Sequence, residues 1–499
     1  MKRGILLIRA DGSLAIGTGH VMRCLALAQA WRDAGGDAVF AMADATPAVE
    51  ERLRNEGFEV ARAAVRVGSV ADAEETAQLA HKHGASWVVV DGYEFGAQYQ
   101  TRLKSRGLKV LFIDDNGHAG HYSADLVLNQ NAHAREDFYP RRDASTQLLL
   151  GPRFAMLRRE FTSWRGWNRE ISAVARRVLV TMGGSDPDNI TERVVEAILS
   201  EDDFEVTIVA GGSNPHLARL REFVGNSGRA IRLVENASSM PDLIARADVA
   251  VAGAGTTSWE MCFLGLPGLL IVLADNQQGV ADELAKQGIM VHLGRGSDLA
   301  RNTIAAQLRN LANSPVVRQE MSERGRAVVD GRGAERVVSA LKRESLSIRL
   351  VEDGDCELLW EWANDPVVRA SAFSSETIPW DDHVAWFREK LNNRNCRIFV
   401  ALDASAVPVG QMRLDKRGVS DADVDITVDG RFRGLGYASR LIDLGINRAI
   451  AEWGLQQFNA FVKPENVASA RAFERAGFKP METVTVKGQS AIHYVRTAK

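Results

Sequence analysis

The first residues in the chain able to do chemistry lie near its start. Gly17-Thr18-Gly19-His20-Val21-Met22-Arg23-Cys24 follows a short apolar run, Ile5 to Arg9, and opens an amphipathic stretch, Gly19 to Arg32. The run reads as a strand and the stretch as a helix, so His20 is expected in a first helical turn. Glycines in such a turn let a ligand approach the backbone, and the helix N-terminus presents free N–H groups. The positive end of the helix dipole disfavours imidazolium there. His20 is therefore expected to stay neutral and to accept a proton, as a general base does. The plain alternative is a capping or packing histidine in an ordinary strand-to-helix turn.

Further loops carry groups suited to a nucleotide. Met182-Gly183-Gly184-Ser185-Asp186-Pro187 and Gly253-Ala254-Gly255-Thr256-Thr257-Ser258 each end an apolar run. Both offer small residues, N–H groups and hydroxyls where a diphosphate can sit. Glu260, in the first turn of the helix after the second loop, can accept hydrogen bonds from both ribose hydroxyls. Asp275-Asn276-Gln277-Gln278 follows the next strand, within reach of a sugar or phosphates. Near the other end, Arg431-Phe432-Arg433-Gly434-Leu435-Gly436-Tyr437-Ala438 follows the strand Val424 to Val428 and opens a helix, Tyr437 to Trp453. Successive N–H groups at such a turn cradle a pyrophosphate. Each loop alone is weak evidence, because Gly-rich turns after strands are common. No His-Glu-x-x-His motif or carboxylate cluster calls for a metal, and none is expected.

These loops need a scaffold. In the first part of the chain the strand candidates are Ile5 to Arg9, Ala38 to Ala41, Trp87 to Asp91, Val110 to Asp114 and Leu126 to Leu128. Continuous apolar runs between helices predict buried parallel strands. The pattern breaks in the Trp-rich stretch Phe161 to Ser172. A second set follows: Val178 to Met182, Val206 to Ala210, Val249 to Ala252, Leu269 to Leu273 and Met290 to Leu293, closed by one long helical segment, Asn302 to Arg343. Two open sheets in succession predict two Rossmann-like halves with ligands at the carboxyl ends of their strands. Near Ser345 the pattern changes to antiparallel strand candidates, among them Arg397 to Leu402 and Val409 to Leu414. The fold class is thus α/β, two Rossmann-like subdomains (1–168 and 169–344) followed by an α+β domain (345–499).

Composition agrees. The chain has 499 residues and a formal net charge of -3, so nothing points to a nucleic-acid or membrane surface. Its four cysteines form no C-x-x-C pair or disulfide framework, as suits a reducing compartment. The N-terminal apolar run after Met1-Lys2-Arg3 is too short for a signal peptide, and no stretch reaches the ~20 apolar residues of a membrane span. A cytoplasmic location is expected.

Taken in order, the first loops resemble the UDP-sugar hydrolases of pseudaminic acid biosynthesis, which have a glycosyltransferase-B-like fold. The matching pieces are Arg9-Ala10-Asp11, Gly17-x-Gly19-His20-x-Met22-Arg23-Cys24, Asp91-Gly92-Tyr93, Asp114-Asp115, Leu157-Arg158-Arg159-Glu160-Phe161, Gly183 to Pro187 and Ala274 to Gln277. The resemblance implies inverting hydrolysis of UDP from a 2,4-diacetamido-2,4,6-trideoxy-altrose, with His20 as base. It implies that Arg9, Asp11, Gly17, Gly19, Gly183, Gly184, Ser185, Asp186, Met240, Gly255, Thr256, Thr257, Glu260, Asn276 and Gln277 bind the UDP-sugar. The Gly-x-Gly-His turn also resembles the glycosyltransferase that makes lipid II, but no basic, apolar docking segment accompanies it here. The last block resembles the GNAT acetyltransferase superfamily through Asn364-Asp365-Pro366, His383 to Phe387, Arg431 to Ala438 and Asn466-x-x-Ser469-Ala470-Arg471-x-Phe473. This implies acetyl-CoA as co-substrate. Backbone of the strand around Ile426, Thr427 and Val428 would hold the pantetheine arm, Arg433, Gly434, Leu435, Gly436, Tyr437 and Ala438 the pyrophosphate, and Asn466 a further contact. Many members of that superfamily carry a Tyr acid seven residues after the Asn, where this chain has Phe473. Asp423 stands where related enzymes often place a basic carboxylate; the alternative is a solvated group on an edge strand. Trp360, Trp362 and Trp386 are expected in the core rather than as a sugar-stacking wall. Together the two resemblances imply N-acetylation of a UDP-linked 4-amino sugar followed by removal of UDP, on this sugar or an isomer. A degenerate half that only tethers nucleotide-sugar is disfavoured by the intact His20 and Gly434/Gly436 turns.

Overall fold

The computed structural model describes residues 4–13, 16–200, 204–342, 346–403 and 406–498. The expected change of pattern near Ser345 and the Met1-Lys2-Arg3 terminus lie outside these residues. The chain divides into two compact units, Met1–Val338 and Ser339–Lys499.

In the first unit, β1 (Ile5–Ala10), β2 (Asp37–Met42), β3 (Glu59–Arg62), β4 (Ala85–Asp91), β5 (Val110–Ile113), β6 (Leu126–Asn129) and β7 (Gln147–Leu150) form one parallel sheet in the order β3-β2-β1-β4-β5-β6-β7. The inner strands are apolar on both faces because helices cover both faces, as parallel sheets require. A second parallel sheet holds β8 (Arg177–Thr181), β9 (Glu205–Ala210), β10 (Ile231–Glu235), β11 (Val249–Gly253), β12 (Gly268–Val272) and β13 (Val291–Arg295), in the order β10-β9-β8-β11-β12-β13. In both sheets the order reverses beside the first strand, between β1 and β4 and between β8 and β11. Open α/β sheets form their ligand crevice at that switch point. The expected long helix over 302–343 is instead Arg301–Ala312, Pro315–Val328 and Gly333–Leu341. Pro315, with no N–H to give, starts the second of these, and Gly331 (φ 74°) lies in the break before the third.

The second unit is built on β14 (Ser347–Leu350), β15 (Cys396–Leu402), β16 (Pro408–Lys416), β17 (Asp421–Val428), β18 (Gln457–Val462), β19 (Lys479–Val486) and β20 (Gln489–Thr497), in the order β14-β15-β16-β17-β18-β20-β19. All neighbours are antiparallel except β17 and β18, which pair in parallel only from Asp421 to Asp423. Beyond Asp423 those two strands part, while β17 stays paired with β16 through Val428. Among the described residues no helix is long and apolar enough to cross a membrane, and no group of three or more His, Cys, Asp or Glu is arranged to hold a metal ion.

Candidate functional site

β1 delivers the chain into the Gly17–Gly19 turn, and His20 is the second residue of the helix Gly19–Asp33. β4, across the switch point, ends in Asp91. The His20 Nδ1 lies 2.6 Å from Asp91 Oδ1. Arg23 Nη2 also lies 3.2 Å from Nδ1, but the shorter contact is to the carboxylate, which can only accept; it favours a proton on Nδ1 and leaves Nε2 as the basic nitrogen. Arg23, one turn along the same helix, donates to Asp91 at 2.7 Å through Nε and to Asp115 at 2.8 Å through Nη1. Asp115 also accepts from the Tyr93 hydroxyl at 2.8 Å and from Asn131 Nδ2 at 2.7 Å. The Tyr93 ring meets the His20 ring edge-on, centroids 5.1 Å apart. Burial alone would raise both carboxyls, but Arg23 and His20 outweigh it and hold Asp91 and Asp115 below the usual carboxylate range. The network thus fixes the rotamer and tautomer of one histidine whose ring borders open space.

That space is a cleft of about 630 Å³ between the two halves of the first unit. Gly17, Gly19 and His20 border it from the first half. Gly183, Gly184, Ser185 and Asp186, then Gly255, Thr256, Thr257 and Glu260, border it from loops after β8 and β11, and Met240, Asn276 and Gln277 complete that wall. The loops of opposite halves come very close: a Cβ on Gly184 would overlap the Thr18 side chain. Asn276 Nδ2 donates to the Tyr93 hydroxyl at 2.7 Å, tying the second half to the His20 network. Glu260 accepts from Arg158 Nη2 at 2.9 Å. Burial pushes the Glu260 carboxyl above its ordinary range, against the opposing charge of Arg158.

Three expected contacts take other roles. Arg9 and Asp11 do not border the cleft. Arg9 is fully buried, with its guanidinium on Asp72 (2.9 and 3.0 Å) and Asp11 (2.7 Å), and Asp11 also accepts from the Ala43 and Asp44 amides. A buried arginine demands such carboxylates, so this pair holds β1 to the helix Val70–His83. Asp186 reaches the cleft, but both its carboxylate oxygens accept helix N-terminal amides, those of Ile190 and Thr191.

In the second unit, Gly434 (φ 77°) and Gly436 (φ 85°) adopt the left-handed conformation that glycine permits, and Gly436 caps the helix Tyr437–Trp453. Leu435 and Tyr437 are buried, so these two offer a ligand backbone rather than side chains. Ala438 follows in the first helical turn. Arg433 is held by Asp365 (2.8 Å) and donates to the Val428 carbonyl, so its charge is already shared with a carboxylate. Ile426, Thr427 and Val428 lie on the stretch of β17 that has left β18, where backbone groups face a gap. The Asn466 Oδ1 accepts from the Ser469 amide and caps the helix Val467–Arg475, a local role beside the expected ligand contact. Asp423 is not on an edge strand: β17 lies between β16 and β18. It is the last residue before the strands part. Its Oδ2 accepts from Arg417 at 2.6 Å, and its Oδ1 is buried with no hydrogen-bond partner among the described residues. Burial, with Asp415 and Asp421 nearby, raises its pKa despite Arg417. Phe473 is buried against Phe478 and Tyr494, as a core residue. Trp362 is buried with its indole N–H on Asp429, and Trp360 donates to the Ile378 carbonyl.

Asp91, Arg23, Tyr93 and Asp115 were legible only as motif pieces. Their joint function needs β1, β4 and β5 to be neighbours, which spacing along the chain does not disclose.

Comparison with known proteins fits this geometry. Residues 345–479 match the acetyltransferase (GNAT) domain family, and residues 177–336 match the glycosyltransferase family 28 C-terminal domain. The chain therefore carries an acetyltransferase domain behind a glycosyltransferase-like one. It is 21% identical to an uncharacterized protein of Methanocaldococcus jannaschii over 95% of this chain and 96% of that protein. It is 27% identical to the spore coat polysaccharide biosynthesis protein SpsG of Bacillus subtilis over 47% of this chain and 68% of that one. It is 24% identical to the UDP-2,4-diacetamido-2,4,6-trideoxy-beta-L-altropyranose hydrolase of Campylobacter jejuni over 57% of this chain and 98% of that enzyme. Among solved structures, the spermidine N-acetyltransferase of Vibrio cholerae in complex with CoA and spermine aligns with a TM-score of 0.29 at 18% identity, covering 31% of this chain and 96% of that one.

Proposed function

We propose that the first unit hydrolyses a UDP-linked diacetamido sugar and that the second acetylates the 4-amino group of its precursor, UDP-4-amino-4,6-dideoxy-N-acetyl-beta-L-altrosamine. The observation that carries the hydrolase reading is the His20–Asp91 pair at the switch-point cleft, facing glycine- and hydroxyl-rich loops. His20 Nε2 takes a proton as water attacks the anomeric carbon from the side opposite UDP. The anomeric C–O bond breaks, its electrons pass to the diphosphate, and the configuration inverts. UDP leaves readily as a diphosphate, so no strong general acid is needed. The loops after β8 and β11 stabilise the charge that grows on it. Glu260 accepts from the ribose hydroxyls, and Met240 offers an apolar wall. The Campylobacter jejuni relative, matched over nearly its whole length, supports this substrate class.

For the acetyltransferase, the parted strands β17 and β18 and the Gly434–Gly436 turn fit acetyl-CoA, the pantetheine arm along Ile426 to Val428 and the pyrophosphate at Arg433 to Ala438. Asp423, at the point where the strands part and with a raised pKa, suits a base for the incoming ammonium. The family 28 match favours one alternative for the first unit, transfer of the sugar to an acceptor other than water.

The test is incubation with acetyl-CoA and UDP-4-amino-4,6-dideoxy-N-acetyl-beta-L-altrosamine, followed by mass spectrometry. The expected products are the N-acetylated UDP-sugar, then UDP and the free diacetamido sugar. Acetylation without UDP release, or no reaction with this sugar while an isomer reacts, would overturn the corresponding half of the reading.

A further inference from the structure

The segment Leu157-Arg158-Arg159-Glu160-Phe161 joins the two halves of the first unit, and the proposed chemistry leaves it without a task. Its side chains are nonetheless all engaged. Leu157 and Phe161 are buried. The Arg159 amide donates to Gln29 Oε1, and its guanidinium pairs with Asp33 at 2.7 Å, fastening the segment to the His20 helix. Glu160 pairs with Arg52 at 3.3 Å, on the helix Pro47–Asn55. Arg158 lies over the Phe161 ring at 5.8 Å, and its Nη2 stands between two carboxylates, Glu160 Oε1 at 3.2 Å and Glu260 Oε1 at 2.9 Å. Arg158 and Glu260 both border the cleft and are largely buried, with side chains 14% and 12% exposed.

From this geometry we infer that Arg158 is a positioning residue that sets the Glu260 carboxylate for the ribose diol of a nucleoside diphosphate. The inference rests on the proposed nucleotide-sugar reading of the cleft. Left alone at a largely buried place on the cleft wall, a carboxylate tends to protonate or to swing toward water. A guanidinium held near a second carboxylate opposes both, anchoring the carboxylate by a hydrogen bond and lowering the cost of its charge. It takes one of about four acceptor directions on the carboxylate and leaves the others for hydroxyl donors. The chain Arg52–Glu160–Arg158–Glu260 also links the ribose contact on the helix Thr257–Phe263 with a helix of the first half, so the carboxylate is oriented only when the halves stand as they do here.

The test is calorimetric binding of UDP and of 2′-deoxy-UDP to the full chain and to its Arg158→Ala, Arg158→Lys and Glu260→Gln variants, with thermal melts as a folding check. Wild type is expected to prefer UDP by about tenfold or more, the worth of a hydrogen bond to a charged acceptor. Arg158→Ala and Glu260→Gln should each erase most of that preference by weakening UDP, with 2′-deoxy-UDP little changed. Arg158→Lys should restore only part of it, because a lysine lacks the planar fork. A wild type that does not distinguish the two nucleotides sinks the ribose reading of the cleft itself. A wild type that does, beside an Arg158→Ala variant that keeps the full preference or loses both nucleotides equally, sinks the positioning role alone.

Discussion

At the residue scale the account rests on what surrounds His20. A histidine at a helix start is common, but one whose Nδ1 is 2.6 Å from a carboxylate gripped by a buried arginine is held in one tautomer. Asp91→Asn keeps the shape yet can present an N–H to Nδ1, which favours the wrong tautomer. UDP release should then fall by about 10²-fold or more with the Michaelis constant for UDP-sugar little changed, as steady-state kinetics would report. The same carboxylates make a pH prediction. Asp91 and Asp115 have depressed folded values, so their contribution to stability is complete above the unfolded value near ~3.9 and is lost as pH falls through the folded values. Melts should therefore show a wild-type Tm that holds down to about pH 4 and falls as the pH drops further. Asp115→Asn, less stable at pH 7 because Arg23 loses a partner, should show a shallower acid decline. An equal slope would remove Asp115 from the acid response. The sequence points His20 and the glycine loops to one ligand site, and they border one cleft; it points Arg9 and Asp11 there too, and they do not. The partner that withdraws Arg9 is Asp72, 63 residues away, and no local pattern points to it.

Elements show the same division. The inner strands were legible because parallel strands covered on both faces read as unbroken apolar runs, such as Val110 to Ile113 and Leu126 to Asn129. The strands that sequence missed in the first unit, β3, β7 and β10, all sit at sheet edges, where burial is incomplete or the run is short. Edge and interior are properties of the sheet, so sequence alone does not show that Asp423 lies on an interior strand. The turn before the helix Tyr437–Trp453 was legible, since two glycines at positive φ punctuate strand and helix. A β-branched residue cannot adopt that conformation cheaply, so Gly434→Val and Gly436→Val should each raise the Michaelis constant for acetyl-CoA sharply. Arg433→Ala should do less, because its charge is already committed to Asp365. Variants that melt earlier but keep the wild-type acetyl-CoA constant at permissive temperature would reduce the turn to a connector.

For the whole molecule, the claim is that two sites in two units do two separate reactions. The chain divides into its two compact units near residue 339, and the sheet of the second unit starts with β14 at Ser347. Cleavage after residue 343 should thus yield two soluble pieces, each retaining one activity, and chelation with EDTA should leave hydrolysis intact. Loss of both activities on cleavage, or hydrolysis that needs an added divalent ion, would contradict that division of labour. The most direct measurement is made on the His20→Ala variant of the full chain, with UDP release and acetyl transfer followed in the same reaction. UDP release should drop by about 10²–10⁴-fold, the worth of a general base, while acetylated UDP-sugar accumulates at the wild-type rate. Undiminished UDP release, or a parallel loss of acetylation, would contradict the account.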